Sequence, residues 1–177
     1  MNFLESDLEE IIMNTPNHKL QNAGLDSIGV GFKKSQVRIG GYGISDIITY
    51  QTEPDVDVLK DGSYDVHDFS KTITIYELKK DKVSLSSFAQ AANYMKGVQQ
   101  YFKYTNRDID DYYWRIVLIG KSVDKNSSML YFPDFFNSDL KGSVSVRYYE
   151  YSFGIDGLRF EEISDFNLKY NGFKTKK

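Results

Sequence analysis

The 177-residue chain contains no cysteine, one tryptophan, two histidines and three prolines. Without cysteine there is no disulfide and no thiolate-bound metal. A reducing, cytoplasmic setting is the expectation, with a cysteine-free secreted protein as the alternative. His18 and His67 alone supply too few ligands for a zinc site. His67 stands in "YDVHDF" beside Asp65 and Asp68, where a solvated loop is a simpler reading than a metal site. So few prolines argue against a long disordered linker. No apolar run approaches the about 20 residues of a membrane span. The acidic, amphipathic start "MNFLESDLEEII" is unlike a secretion signal. An excess of positive charge is also missing, since the formal net charge is −3. That excludes a protein that coats nucleic acid through charge alone, so any phosphate binding must be local or assisted by a cation. The basic tail "KYNGFKTKK" reads as a solvated end.

Apolar and aromatic residues are plentiful. The hydrophobic share is 41%, with 14 Tyr and 12 Phe, which suits one domain over residues 1–177 with a substantial core. "FLESDLEEIIMNT" places Leu4, Leu8, Ile11 and Ile12 at helical spacing, with Ser6 and Glu9 or Asn2 as candidate caps. Residues 17–28 read as loop. Val30–Ile39 and Ile44–Tyr50 read as a hairpin around Gly40-Gly41-Tyr42-Gly43, a turn rather than a dinucleotide fingerprint because a strand follows it. The polar, Asp-rich residues 51–70 read as a long loop. A strand over Thr72–Lys79, a helix over Ser86–Tyr104 and an apolar central strand in "YYWRIVLIG" follow. The helix is expected to bury Phe88, Ala92, Met95, Val98 (or Gln99) and Phe102. "MLYFPDFF", "SVSVRYYEYSF" and "LRFEEI" suggest a short helix and two further strands, with Gly154-Ile155-Asp156-Gly157 as a hairpin turn. The expected class is α/β (α+β), a mixed central sheet flanked by helices with a β-rich C-terminal extension.

Two strands carry an anomaly. Side chains alternate along a strand, so Ile73, Ile75, Glu77 and Lys79 share a face, and so do Ile44, Asp46 and Ile48. Each set leads from aliphatic residues to charge. Buried charge needs a partner or a metal. If the strands pair, Asp46 and Glu77 converge, repel and raise one another's pKa, and a divalent cation relieves the repulsion. Oxygen ligands favour Mg²⁺ or Mn²⁺. Lys79 would point into the same space. An edge-strand charge pair is the competing account of Glu77 and Lys79.

Asp46, then Glu77-Leu78-Lys79, then Gln90 and Tyr94 in "QAANY" resemble the PD-(D/E)XK nuclease superfamily, the restriction-endonuclease-like fold. The Gln-x-x-x-Tyr pattern is similar to that of RecB-type nucleases. Glu5 in "LESDLEEII" resembles the first-helix acid of the archaeal mismatch-endonuclease subgroup, with Glu9 as its alternative and Glu10 a weaker match. The resemblance covers about residues 3–120. It departs in Ser45, where Pro is usual, and in the long spacer between Asp46 and Glu77.

The resemblance implies an αβββαβ core and a Mg²⁺-dependent (or Mn²⁺-dependent) nuclease acting on DNA more than RNA. It implies that Asp46, Glu77 and the Leu78 backbone carbonyl ligate the metal, with Glu5 completing the site. Lys79 would orient the attacking water, Gln90 would orient Lys79 or touch a phosphate, and Tyr94 would support it. Lys33, Arg38, Lys80 and Lys82 are candidate phosphate contacts, with Lys34 and Lys96 nearby, and aromatic-rich loops could stack on unpaired bases. A homodimer is an open arrangement, no membrane partner is expected, and the size suits a phage or mobile-element nuclease. The alternative is a catalytically silent member of the fold that binds nucleic acid or assembles with protein.

Overall fold

Alternation of apolar residues along the strands sets up a sheet with two buried faces. In the computed structural model, which describes residues 3–136, 140–155 and 157–163, six strands pair in sequence order. They are β1 (Gly31–Arg38), β2 (Ile44–Val58), β3 (Tyr64–Val83), β4 (Tyr112–Val123), β5 (Val144–Gly154) and β6 (Gly157–Glu162). β1, β2 and β3 form an antiparallel meander. β4 lies parallel to both β3 and β5, and β6 returns antiparallel to β5. The expected class therefore holds as a mixed central sheet with helices on both sides. The segment after residue 120 continues that same sheet. Gly154 pairs with Gly157 at the β5–β6 turn; Asp156 and the basic tail lie outside the described residues.

One face buries Leu8, Ile12 and Leu20, from α1 (Glu5–Asn14) and α2 (Asn17–Asn22), against Ile47, Tyr76, Leu78, Val117 and Ile119. The other packs Ala91, Tyr94, Met95, Val98 and Phe102, from α3 (Leu85–Tyr104), against Ile73, Ile75, Ile116 and Leu118. α4 (Phe132–Phe136) lies on the α3 side, where the Phe132 ring meets Phe88 at 4.7 Å. Of the expected α3 stripe, Met95, Val98 and Phe102 are buried, while Phe88 and Ala92 are half-buried.

Three expectations need correction. Residues 51–70 are not a loop. β2 and β3 stay paired from Thr52–Lys71 out to Val58–Tyr64 and form a two-stranded arm. β1 pairs no further than Gln51, and β4 no further than Lys71, so the arm runs past both neighbours. Pairing puts Pro54, Val56 and Val58 with Phe69, Val66 and Tyr64 on one face, and Asp57 with Asp65 on the other. A hairpin between Asp-rich strands reads as loop in sequence because Asp and Gly are poor strand formers. Residues 17–22 form α2 rather than loop, so His18 lies in a helix; the backbone of His67 lies in β3, and its side chain is outside the described residues. Ser6 does not cap α1. Leu4 holds the cap position, and its N–H donates to the Asp7 carboxylate at 2.8 Å. The alternative cap, Asn2, lies outside the described residues. α3 spans Leu85–Tyr104 in agreement with the expected helix, with Ser84 at its cap position and the Ser84 N–H on Ser87 Oγ at 3.2 Å.

The turn from β1 into β2 fixes where β2 begins. Gly43 has φ +118°, and a Cβ there would lie 2.8 Å from Tyr94 Cε1. Gly43→Ala should therefore cost roughly 1–3 kcal/mol of stability. Gly41→Ala, with open space around its Cβ, should change it by less than about 0.5 kcal/mol. Urea unfolding midpoints of the two variants check this, and equal midpoints would contradict the Tyr94 contact.

Candidate functional site

The β2–β3 register is the starting point. Ile47 stands opposite Tyr76 and Ile48 opposite Ile75, so one further step brings Asp46 level with Glu77. Both acids continue the face that carries Ile48, Ile73 and Ile75 toward α3. Glu77 is fully buried (0% exposed) and Asp46 is half-buried. The Leu78 N–H donates to Asp46 Oδ2 at 2.7 Å, tying the end of β2 to β3. The Lys79 ammonium donates to Glu77 Oε1 at 2.7 Å. Glu77 Oε2 is buried and has no hydrogen-bond partner among the described residues.

The electrostatics follow from this packing. Burial, then the charge of Asp46, pushes the Glu77 carboxyl up to about 7 against the pull of Lys79. Burial also raises Asp46, against the Leu78 N–H and Lys79, with Glu5 and Glu9 adding to the rise. Burial disfavours the Lys79 ammonium, but its bond to Glu77 and the charges of Glu77, Glu5 and Asp46 outweigh that, so Lys79 is held above the ordinary lysine value. Lys79 is therefore a cation at neutral pH and acts as a donor rather than as a base.

The remaining residues sort by what they touch. Glu5, exposed at the start of α1, accepts the Lys80 N–H at 3.0 Å and so reaches the sheet end beside Lys79. Glu9 is instead bonded to the Gln36 side-chain amide. Glu5 is thus the first-helix acid at the β3 end. Gln90, exposed on α3, donates its side-chain amide N–H to the Tyr94 hydroxyl at 2.7 Å, a bond within the helix. Tyr94 itself is buried and packs beside Gly43. Leu78 is buried in the α1-side core and adds its N–H to Asp46, a role its sequence did not suggest.

Two of the candidate phosphate contacts have other work. Lys33 donates to the Ile12 and Thr15 carbonyls at 2.7 and 2.6 Å and closes the C-terminal end of α1. Lys82 pairs with Asp124 at 2.9 Å. Lys80 is half-buried beside the centre, and Arg38 is exposed at the end of β1.

Three features missed in the sequence shape the site. Between Lys79 and Lys82 the β3–β4 register slips, a bulge that re-aims the chain immediately after Lys79. The Tyr151 hydroxyl, from β5, donates to the Lys80 carbonyl at 2.6 Å and pins that bulge, while Phe3 packs on Tyr151 and Phe153 and so fixes the start of α1. Gln36, level with Asp46 across β1 and β2, has φ +50°. A left-handed residue turns the strand there, which is why Gln36 reaches Glu9 on the α1 side while the next residue, Val37, packs on the α3 side. Nothing in the residue type signals this, since glutamine rarely adopts that conformation.

Among the described residues no group of three or more His, Asp or Glu side chains forms a ready-made metal cage. The centre is a two-carboxylate pair with Glu5 at electrostatic range. Mg²⁺ commonly takes one or two carboxylates and keeps several waters. An orphaned buried oxygen on Glu77, beside a second carboxylate of raised pKa, fits such an ion. Comparison with protein-family models, curated proteins and solved structures finds no match to this chain. No described helix is long and apolar enough to cross a membrane.

Without metal, the folded chain favours neutral Glu77. That contribution to stability is complete below the ordinary carboxylate value of 4.5 and is lost as pH rises through about 7. In EDTA the wild-type melting midpoint should fall between about pH 5 and about pH 8, and Glu77→Gln should flatten the fall. Thermal melts across that range check this; an unchanged slope in Glu77→Gln would exclude the carboxyl as its origin.

Proposed function

We propose that the chain is a Mg²⁺-dependent (or Mn²⁺-dependent) nuclease with a PD-(D/E)XK core that hydrolyses phosphodiester bonds, of DNA before RNA. The observation that carries this reading is the buried, unpartnered Glu77 Oε2 beside Asp46, with the Lys79 ammonium on the other Glu77 oxygen. The order α1, β1, β2, β3, α3, β4, with the short α2 and two single 3₁₀ turns inserted, supports it.

Asp46 and Glu77 would hold the cation, with the Leu78 carbonyl as a third ligand and Glu5 at the rim. The ion would polarise the phosphoryl group and supply the positive charge that the chain otherwise lacks. Lys79 holds a proton throughout. One of its three N–H donors engages Glu77, leaving two to orient a water or to steady a phosphate oxygen. Asp46 is fixed by the Leu78 N–H, so its second oxygen is presented in a defined direction. Gln90, anchored on Tyr94, would contact a phosphate, and Arg38 and Lys80 would follow the backbone.

A second reading, a fold-retaining assembly protein, is favoured by the exposed apolar face of the arm, where Val58 is 68% and Tyr64 71% exposed. Labelled single- and double-stranded DNA and RNA incubated with Mg²⁺, with Mn²⁺ or with EDTA separate the two. Cleavage should require the divalent ion. Lys79→Ala should slow it about a hundredfold or more with an unchanged circular dichroism spectrum. Equal cleavage by Lys79→Ala and wild type would refute the mechanism, and no cleavage of any substrate would favour assembly.

A further inference from the structure

A trough runs along the α3 face beside the carboxylate centre. It consists of a hollow of about 580 Å³ between the end of β1, its turn and the C-terminal half of α3, and a second of about 250 Å³. The two share Val37, Ile48, Val98 and Phe102, so they form one continuous apolar floor. Gly97 belongs to this build. A Cβ there would lie 2.5 Å from Ile39 Cγ2, so only glycine lets α3 close on the turn without a shift. At the rim Tyr101 is 58% and Tyr104 87% exposed.

Charge also marks this trough. In a chain of net charge −3, no acidic side chain among the described residues lines either hollow, whereas Arg38, Lys34 and Arg107 do. The Arg107 guanidinium sits 5.2 Å from the Phe102 ring centroid. Position links the trough to the centre: Ile48, on the floor, is two residues along β2 from Asp46 and on the same face, about 7 Å away by strand rise.

We infer that this trough receives unpaired nucleobases next to the carboxylate centre, which makes single-stranded nucleic acid the substrate class of the nuclease proposed above. The inference rests on that reading for its link to cleavage. An apolar floor rewards a base only when the base has left its stack, because a duplex keeps base faces covered and presents phosphates outward. Exposed tyrosines offer stacking surfaces that any base can use, and an acid-free rim with Arg38, Lys34 and Arg107 matches a phosphate chain.

The test is fluorescence anisotropy of a short labelled mixed-sequence oligonucleotide, alone or annealed to its complement, in EDTA so that nothing is hydrolysed. Wild type should bind the single strand more tightly than the duplex. Tyr101→Ala with Tyr104→Ala should weaken single-strand binding by about tenfold or more and leave duplex binding unchanged. Both tyrosines are exposed, so the fold should survive, and a melting curve of the double variant verifies it. Equal affinity for both forms, undiminished single-strand binding by the variant, or binding of neither form overturns the inference. Cleavage with Mg²⁺ is scored separately. Tyrosine-dependent single-strand binding without cleavage sinks the nuclease and upholds the trough; cleavage with tyrosine-independent binding sinks the trough alone.

Discussion

Burial of the Glu77 carboxylate beside Asp46 is the constraint around which this sheet end is organised. A carboxylate removed from water costs several kcal/mol unless it is compensated, and a second carboxylate at close range adds to that cost. Lys79 compensates one Glu77 oxygen and leaves the other bare. Replacing both charges by aliphatic residues would cost a purely structural sheet little, and the flanking Ile48 and Ile75 show that the face accepts them. Two acids and one amine retained there are what the proposed cation and phosphate would account for.

The rest of the fold holds that cluster in place. The Leu78 N–H grips Asp46, the Lys80 N–H grips Glu5, and the slip after Lys79 separates the direction of Lys79 from that of the two residues after it. The C-terminal strands take part as well. Tyr151 from β5 clamps the Lys80 carbonyl, and its ring supports Phe3 at the entrance to α1. On the far side, the left-handed Gln36 ties Glu9 to β1 and leaves Glu5 as the acid at the β3 end.

Alternation made much of this legible. Ile73-Ile75-Glu77-Lys79 and Ile44-Asp46-Ile48 announced two strands with charge at the end of an apolar face, and the pairing places those acids level. The helix over residues 85–104 and the central strand in "YYWRIVLIG" followed from periodicity and composition. What stayed hidden depends on tertiary partners. The arm over residues 52–70 is strand despite its Asp and Gly content, because each strand is the other's partner. Lys33 looked like a phosphate contact, yet it closes α1, since the carbonyls it meets lie 18 and 21 residues away in sequence. The Tyr151–Lys80 bond spans 71 residues and leaves no local trace.

The most direct measurement is a calorimetric titration of Mn²⁺ into the metal-free protein and into Asp46→Asn and Glu77→Gln. A cation seated between these acids predicts saturable binding to wild type that both substitutions abolish. Absence of binding to wild type, or equal binding by all three proteins, would contradict it.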